Sequence, residues 1–424
     1  MIPRAYTVLL GILCTMTPAV AETVPAPISG TEPETPVVIQ EKEPRWPKIL
    51  AFPLDLPPTV VRGVGLPFSM FANWAEETNL PLRALEFFSN DDRTAYWYPT
   101  FRIGGKGGAF FGAGGKHRDL FGRGYSGSAL ANVSLGLDLD AKLSFTHPHL
   151  GNSDVAGGLA ATYYRRQLEE YYGIGNDSRA EDSRKFEGRL LYLSAPLGGQ
   201  WGRHFNWDAA AKYAVLEQDE AFPGDLSGNF PSNELFGLGE SISGGDFGFG
   251  LRWDDRDFKG APGKGTVIKG SFNGFVGEND FRFIRTKAAF SRFLTLRKRG
   301  RTLGFGGRFE WAATPGGGEI PFTFVPYLGG SGNFRAYDDF RFRDNALFML
   351  ISEYRYPLWR YADMALFFES GRVAGSPRDL SFHDLHYSYG AEIRFRTLDI
   401  AFFQILIAHG EDGFRATMSL NQSL

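Results

Sequence analysis

From Thr94 onward, apolar residues recur at every second position, the spacing of strands with two unlike faces. The stretch 384–397 shows this most plainly: Tyr387, Tyr389, Ala391, Ile393 and Phe395 form one row, and Ser388, Gly390, Glu392, Arg394 and Arg396 the other. A charged row behind an aromatic row does not suit the core of a soluble β-sandwich. It suits a strand with lipid on one side and a watery interior on the other. Within 344–357, Phe348, Leu350, Tyr354 and Tyr356 likewise oppose Glu353 and Arg355. The pattern predicts sixteen strands, at about 97–104, 107–116, 125–134, 137–147, 155–169, 183–195, 204–218, 243–256, 264–276, 280–294, 303–314, 344–357, 361–374, 384–397, 399–408 and 414–424. The expected fold is all-β, a sixteen-stranded antiparallel transmembrane barrel with both ends on the periplasmic side.

Connection lengths test the numbering independently. Connections after odd strands include the long polar segments 169–183, 217–244 and 316–345, whereas several after even strands are short: 196–203, 297–302 and 357–360. Long external loops and short periplasmic turns are the asymmetry of outer-membrane barrels. Tyr96, Trp97, Tyr98, Trp359 and Tyr361 fall at the periplasmic strand ends and are expected to form an interfacial girdle.

Ahead of the barrel, residues 1–21 read as a signal peptide: Arg4, an apolar run from Tyr6 to Thr17, and Ala19-Val20-Ala21 at the cleavage site. Residues 22–53 are rich in Pro and Glu and read as an extended periplasmic linker. Residues 54–92 hold a short amphipathic helical segment with Phe68, Phe71, Trp74, Leu80, Leu82, Leu85, Phe87 and Phe88, broken by Pro67 and Pro81. That segment packs on the periplasmic rim, plugs the lumen or lies on the membrane surface; the sequence leaves the three open.

Composition removes other classes. No segment approaches the roughly 18 consecutive apolar residues of a membrane helix. A net charge of -3 with interspersed signs gives no electrostatic case for nucleic acid. Cys14 is the single cysteine and lies within the signal peptide, so an exported chain would carry no thiol or disulfide. No Gly-x-Ser-x-Gly surrounds any serine, and His147 and His149 have no third metal ligand nearby. An enzyme is not expected, nor any metal or cofactor.

Four motifs remain. Asp119-Leu120-Phe121-Gly122-Arg123-Gly124 precedes a strand that runs to His147-Pro148-His149. Trp253-Asp254-Asp255-Arg256-Asp257 precedes Gly263 and Gly265. Gly329-Gly330-Ser331-Gly332-Asn333-Phe334-Arg335-Ala336-Tyr337 lies between two strands, and Phe367-Phe368-Glu369-Ser370-Gly371 lies on one. In this order and spacing they resemble the BamA/TamA-type outer-membrane barrel superfamily, over residues from about 94 to the end. The resemblance implies that the loop bearing Arg335 folds into the lumen and meets a wall carboxylate, here Glu369. A planar guanidinium suits that carboxylate, so Arg335, Tyr337 and Glu369 would form the lock, with Phe334, Gly332, Phe367 and Gly371 supporting it. Glu353, Arg355, Asp255, Arg256 and Asp257 are further candidates.

Two departures stand out. Ala336 replaces a tip glycine, so a left-handed backbone there would be costly. The chain ends Ser423-Leu424 rather than on an aromatic residue. The stretch before the barrel shows no recognisable α/β periplasmic (POTRA) domains. The resemblance implies a role in outer-membrane biogenesis, in protein or lipid insertion or translocation, by a monomer in the outer-membrane bilayer that works with a periplasmic or outer-membrane protein partner. A passive gated pore, or a surface-display barrel, is the alternative.

Overall fold

The computed structural model describes residues 88–420, apart from residues 93, 105–107, 152, 261, 298–299, 331, 360–361 and 397–400. The predicted signal peptide, linker and nearly all of the helical segment lie outside the described residues.

The strands in chain order are β1 (Ala95–Gly104), β2 (Ala109–Leu120), β3 (Tyr125–Ser134), β4 (Leu139–His147), β5 (Ala156–Tyr171), β6 (Arg184–Trp201), β7 (Phe205–Glu220), β8 (Ser241–Asp254) and β9 (Gly265–Gly277). They continue with β10 (Arg282–Arg297), β11 (Arg301–Ala313), β12 (Tyr327–Leu328), β13 (Phe342–Arg343), β14 (Ala346–Trp359), β15 (Ala362–Ala374), β16 (His386–Arg396), β17 (Ala401–Gly410) and β18 (Gly413–Leu420). Sixteen of them form one closed antiparallel barrel, and β12 and β13 pair separately inside the β11–β14 connection. Every predicted strand is present, with ends shifted by a few residues.

The faces follow the period of two. Tyr387 and Tyr389 of β16 are half exposed on the outside, whereas Ser388 and Glu392 are buried inside. Phe247, Phe272, Phe290 and Phe305 extend the outer apolar surface to β8–β11. The aromatic girdle needs correction at β1: only Trp97 points outward, where the Phe88 ring meets it edge-on at 4.5 Å. Tyr98 covers Gly114 on the inner face, and the Tyr96 ring lies 6.2 Å from it. Alternation alone dictates this, since three consecutive strand residues cannot share a face. The side chains of Trp359 and Tyr361 lie outside the described residues.

The barrel closes where β1 meets β18. Among the described residues this seam pairs Phe101–Gly104 with Leu420–Thr417, and Gly104 takes a φ of 111° there, with no room for a side chain against Ala416. Long connections gather at one end of the barrel, here the loop end, and short ones at the other, the turn end.

A lumen loop caged by three carboxylates

The β11–β14 connection, residues 314–345, turns back into the barrel instead of projecting from it, and Ile320–Gly330 are buried without a break. Its root is aromatic. Phe322 packs edge-on against Tyr171 (5.2 Å) and Phe186 (5.0 Å), and Phe324 against Phe275 and Phe283. Thr323 between them donates to Gln218 Oε1 at 2.5 Å. Farther along, Arg343 is fully buried, donating to the Phe322 carbonyl at 3.1 Å.

The tip is polar and tightly turned. Gly329 (φ 131°) and Gly330 (φ 99°) occupy left-handed backbone, and a side chain on either would strike Asp338 or Asp339. Gly332, singled out from sequence, is exposed with open space around it. Two buried non-glycine residues of the loop take positive φ, Phe340 at 61° and Phe334 at 114°, and the Phe334 conformation costs about 1–3 kcal/mol. The Phe334 ring stacks on Tyr337 at 4.8 Å with the planes 5° apart. Ala336 is not among the positive-φ residues, so the alanine meets no backbone penalty, and its N–H donates to Ser388 Oγ at 3.0 Å.

Arg335 reaches three carboxylates on three adjacent strands. Its Nε lies 3.2 Å from Glu369 Oε1 of β15, Nη2 donates to Glu353 Oε2 of β14 at 3.5 Å, and Nη1 lies 3.6 Å from Glu392 Oε2 of β16. The second bond to Glu369 comes from the Arg335 backbone N–H, at 2.8 Å, rather than from the guanidinium fork. Phe367 floors the site with its ring 4.2 Å below the guanidinium carbon. Gly371, in the same inward row, leaves room for Leu328: an added Cβ would sit 2.9 Å from its methyl.

Two further arginines complete the cage. Arg394 clasps Glu353 with both terminal nitrogens (2.9 and 2.7 Å) and also holds Glu392. Arg355 donates to Glu353 Oε1 at 3.0 Å. Three cations therefore balance three anions, so no buried charge is left without a counter-charge.

The remainder of the tip is tied to the β17–β18 hairpin. The Tyr337 hydroxyl donates to the Tyr387 carbonyl at 3.0 Å and accepts from the Glu411 N–H at 3.2 Å, and burial pushes this phenol up to about 12. Arg415 donates to the Tyr337 carbonyl, and Arg341 pairs with Asp412 at 2.7 Å.

Asp255, Arg256 and Asp257 lie apart from the cage, in the β8–β9 turn at the turn end. Arg256 chelates Asp254 with two bonds of 2.8 Å, while Asp257 Oδ1 accepts three backbone N–H groups. In the first motif Asp119 caps the turn through the Gly124 N–H at 2.6 Å. His147 Nε2 meets the Arg123 carbonyl of that turn at 3.1 Å.

An Omp85 superfamily domain model matches residues 119–408, which include all four motifs. The chain belongs to the Omp85 superfamily. Among solved structures it is similar to BamA from Haemophilus ducreyi lacking POTRA domains 1–3, with a TM-score of 0.61 and 15% identity over 77% of this chain and 70% of that one. It is also similar to CdiB from Acinetobacter baumannii (TM-score 0.50, 12% identity, 77% and 59% covered) and CdiB from Escherichia coli (0.53, 10%, 76% and 62%). No curated protein matches by sequence. At such identities these likenesses speak for the fold: an Omp85 barrel of the BamA-like, outer-membrane type.

Reading the sequence missed Glu392, Arg394, Ser388, Arg415 and Asp412 as parts of this Omp85 lumen site. A signal for two of them was present. Glu392-x-Arg394 repeats Glu353-x-Arg355, and both pairs fall in the inward phase of their strands.

Proposed function

We propose that this Omp85 barrel serves outer-membrane biogenesis, assisting insertion or translocation of proteins or lipids, and that the Arg335 cage locks its lumen loop. The observation that carries the reading is the convergence of Arg335 on Glu353, Glu369 and Glu392, which ties the inward-folded loop to the barrel wall with a charge-balanced contact. With the loop filling the lumen, this reading leaves the β1–β18 seam as the route for a client. In this reading the loop end is external and the turn end periplasmic. The chain acts without catalysis, as a monomer in the bilayer, alongside a periplasmic or outer-membrane partner.

Depletion of the protein in cells tests the role. Loss of other outer-membrane proteins from the membrane, with purified barrel that stays closed in a planar bilayer, is the expected result. A second reading, a pore gated by the same loop, is favoured by the loop's position inside the lumen. A large steady conductance on Arg335→Ala, with no assembly defect on depletion, would replace the first reading with the second.

A further inference from the structure

The cage has a second attachment, at the opposite end of the lumen from the loop's entry. Arg355 uses one terminal nitrogen on Glu353 and the other on the Pro262 carbonyl, 3.1 Å away in the β8–β9 turn. Pro262 is fully covered within a turn whose Asp257, Phe258, Lys259 and Lys264 are exposed.

What fixes that carbonyl is visible in the same turn. The peptide group joining Pro262 to Gly263 offers its C=O to Arg355 and its N–H to Asp257 Oδ1, at 2.9 Å. Asp257 also accepts from Phe258 (2.9 Å) and Lys264 (3.2 Å), so one carboxylate oxygen organises the turn. Thr295 of β10 donates to the Gly263 carbonyl at 2.9 Å and holds the next peptide. Gly263 has no spare room: an added Cβ would lie 3.0 Å from Asp257 and 3.3 Å from Thr295.

We infer that Asp257 and Arg355 are positioning residues that let the β8–β9 turn control the grip on Arg335. The chain of contacts is unbroken: Asp257 orients the Pro262–Gly263 peptide, that peptide holds Arg355, Arg355 holds Glu353, and Glu353 shares Arg335 with Glu369 and Glu392. If the turn shifts, Arg355 loses its outer anchor, and Glu353 loses the fixed cation that holds it facing Arg335 and keeps only the clasp of Arg394. A partner that binds the exposed face of the turn would thereby release the loop without touching it. This deepens the proposed function and rests on its loop-lock reading.

The test uses the full-length protein in lipid, with a nitroxide label on Gly332→Cys in a Cys14→Ser background. A Cβ added at Gly332 would have nothing within 4 Å, so the label reports on the tip without disturbing it. Arg335→Ala is the control and should raise the ratio of mobile to immobile label by about a hundredfold or more, the effect of leaving buried Glu369 without its cation. Asp257→Ala and Arg355→Ala should each raise it roughly threefold or more, and the two together little more than Arg355→Ala alone, as coupled contacts require. Asp257→Asn, which keeps an acceptor oxygen, should restore the immobile spectrum.

If Arg335→Ala mobilises the label and neither Asp257→Ala nor Arg355→Ala does, the coupling is wrong while the lock survives. If Arg335→Ala leaves the label immobile, the lock itself is wrong. Should Asp257→Ala fail to fold, judged by heat-dependent migration in detergent gels, Arg355→Met decides. Its thioether donates to neither Glu353 nor Pro262, so an unchanged spectrum overturns the proposal.

Discussion

The root and the tip of the lumen loop are held by opposite kinds of force. At the root, Phe322 and Phe324 sit among rings from β5, β6, β9 and β10 in a contact that is mainly apolar, with the Arg285 guanidinium carbon 5.2 Å over the Phe324 ring. At the tip, Arg335 sits among carboxylates whose hold depends on geometry, and Phe334 stores backbone strain beside it. An apolar contact weakens gradually as surfaces separate, but a charge-assisted hydrogen bond weakens steeply with misalignment. In the proposed function the root would serve as the hinge and the tip as the end that lets go.

Four measurements break or sharpen that contrast. The largest effect belongs to the root. Phe322→Ala with Phe324→Ala removes two buried rings, each of the ~3–5 kcal/mol class. Trypsin should then cut at Arg341 and Arg343, which the intact fold buries, and the barrel's thermal midpoint should fall. Retained protection would mean that the tip alone holds the loop.

Arg335→Ala comes next. It strands buried Glu369, since Arg394 and Arg355 still hold Glu353 and Glu392, and should cost about 3–5 kcal/mol locally, offset in part by relief at Phe334. Cleavage at Arg341 should speed up without the midpoint falling as far as in the root variant. Glu369→Ala should act in the same direction, and the double variant should be little worse than Arg335→Ala. Additive effects would show that the two residues act separately.

Tyr337→Phe removes one hydroxyl that bonds both β16 and the β17–β18 turn, at a cost of about 0.5–1.5 kcal/mol per bond. Its signature is faster cleavage at Arg341 with the midpoint almost unmoved. Ala336→Gly is the smallest change. Because residue 336 has no left-handed backbone to relieve, glycine should be mildly worse than alanine, by about 0.5–1 kcal/mol. A more strongly protected loop in Ala336→Gly would mean that residue 336 is itself strained.

Much of the architecture was legible because the barrel rule is short-ranged. A strand such as His386–Arg396 shows both of its environments in its own eleven residues, and sixteen such segments leave one way to close. The tip was legible only in outline. Glu392 and Arg394 meet Arg335 and Glu353 through the register of β14, β15 and β16, which no single strand encodes. Tyr96 and Tyr98 were misassigned to a girdle because residue type was weighed above alternation. At residue 336 the sequence pointed to the wrong position for strain, since φ depends on the loop's path as well as on which residue lacks a glycine. Asp257 looked like part of a motif, but its bond to the peptide facing Arg355 depends on where the turn folds.

The alternation along each strand also bears on how such a chain travels. A segment is retained in a bilayer during export when about 20 apolar residues follow one another. Here outward rings such as Phe247, Phe290, Phe305 and Tyr387 are each followed at once by an inward Gly or Ser, and the mean hydropathy of -0.22 is that of a water-compatible chain. The apolar surface exists only after the strands have paired and sorted their side chains into two faces. Until then such a polypeptide is an ordinary polar thread, and it acquires its affinity for lipid only as it folds.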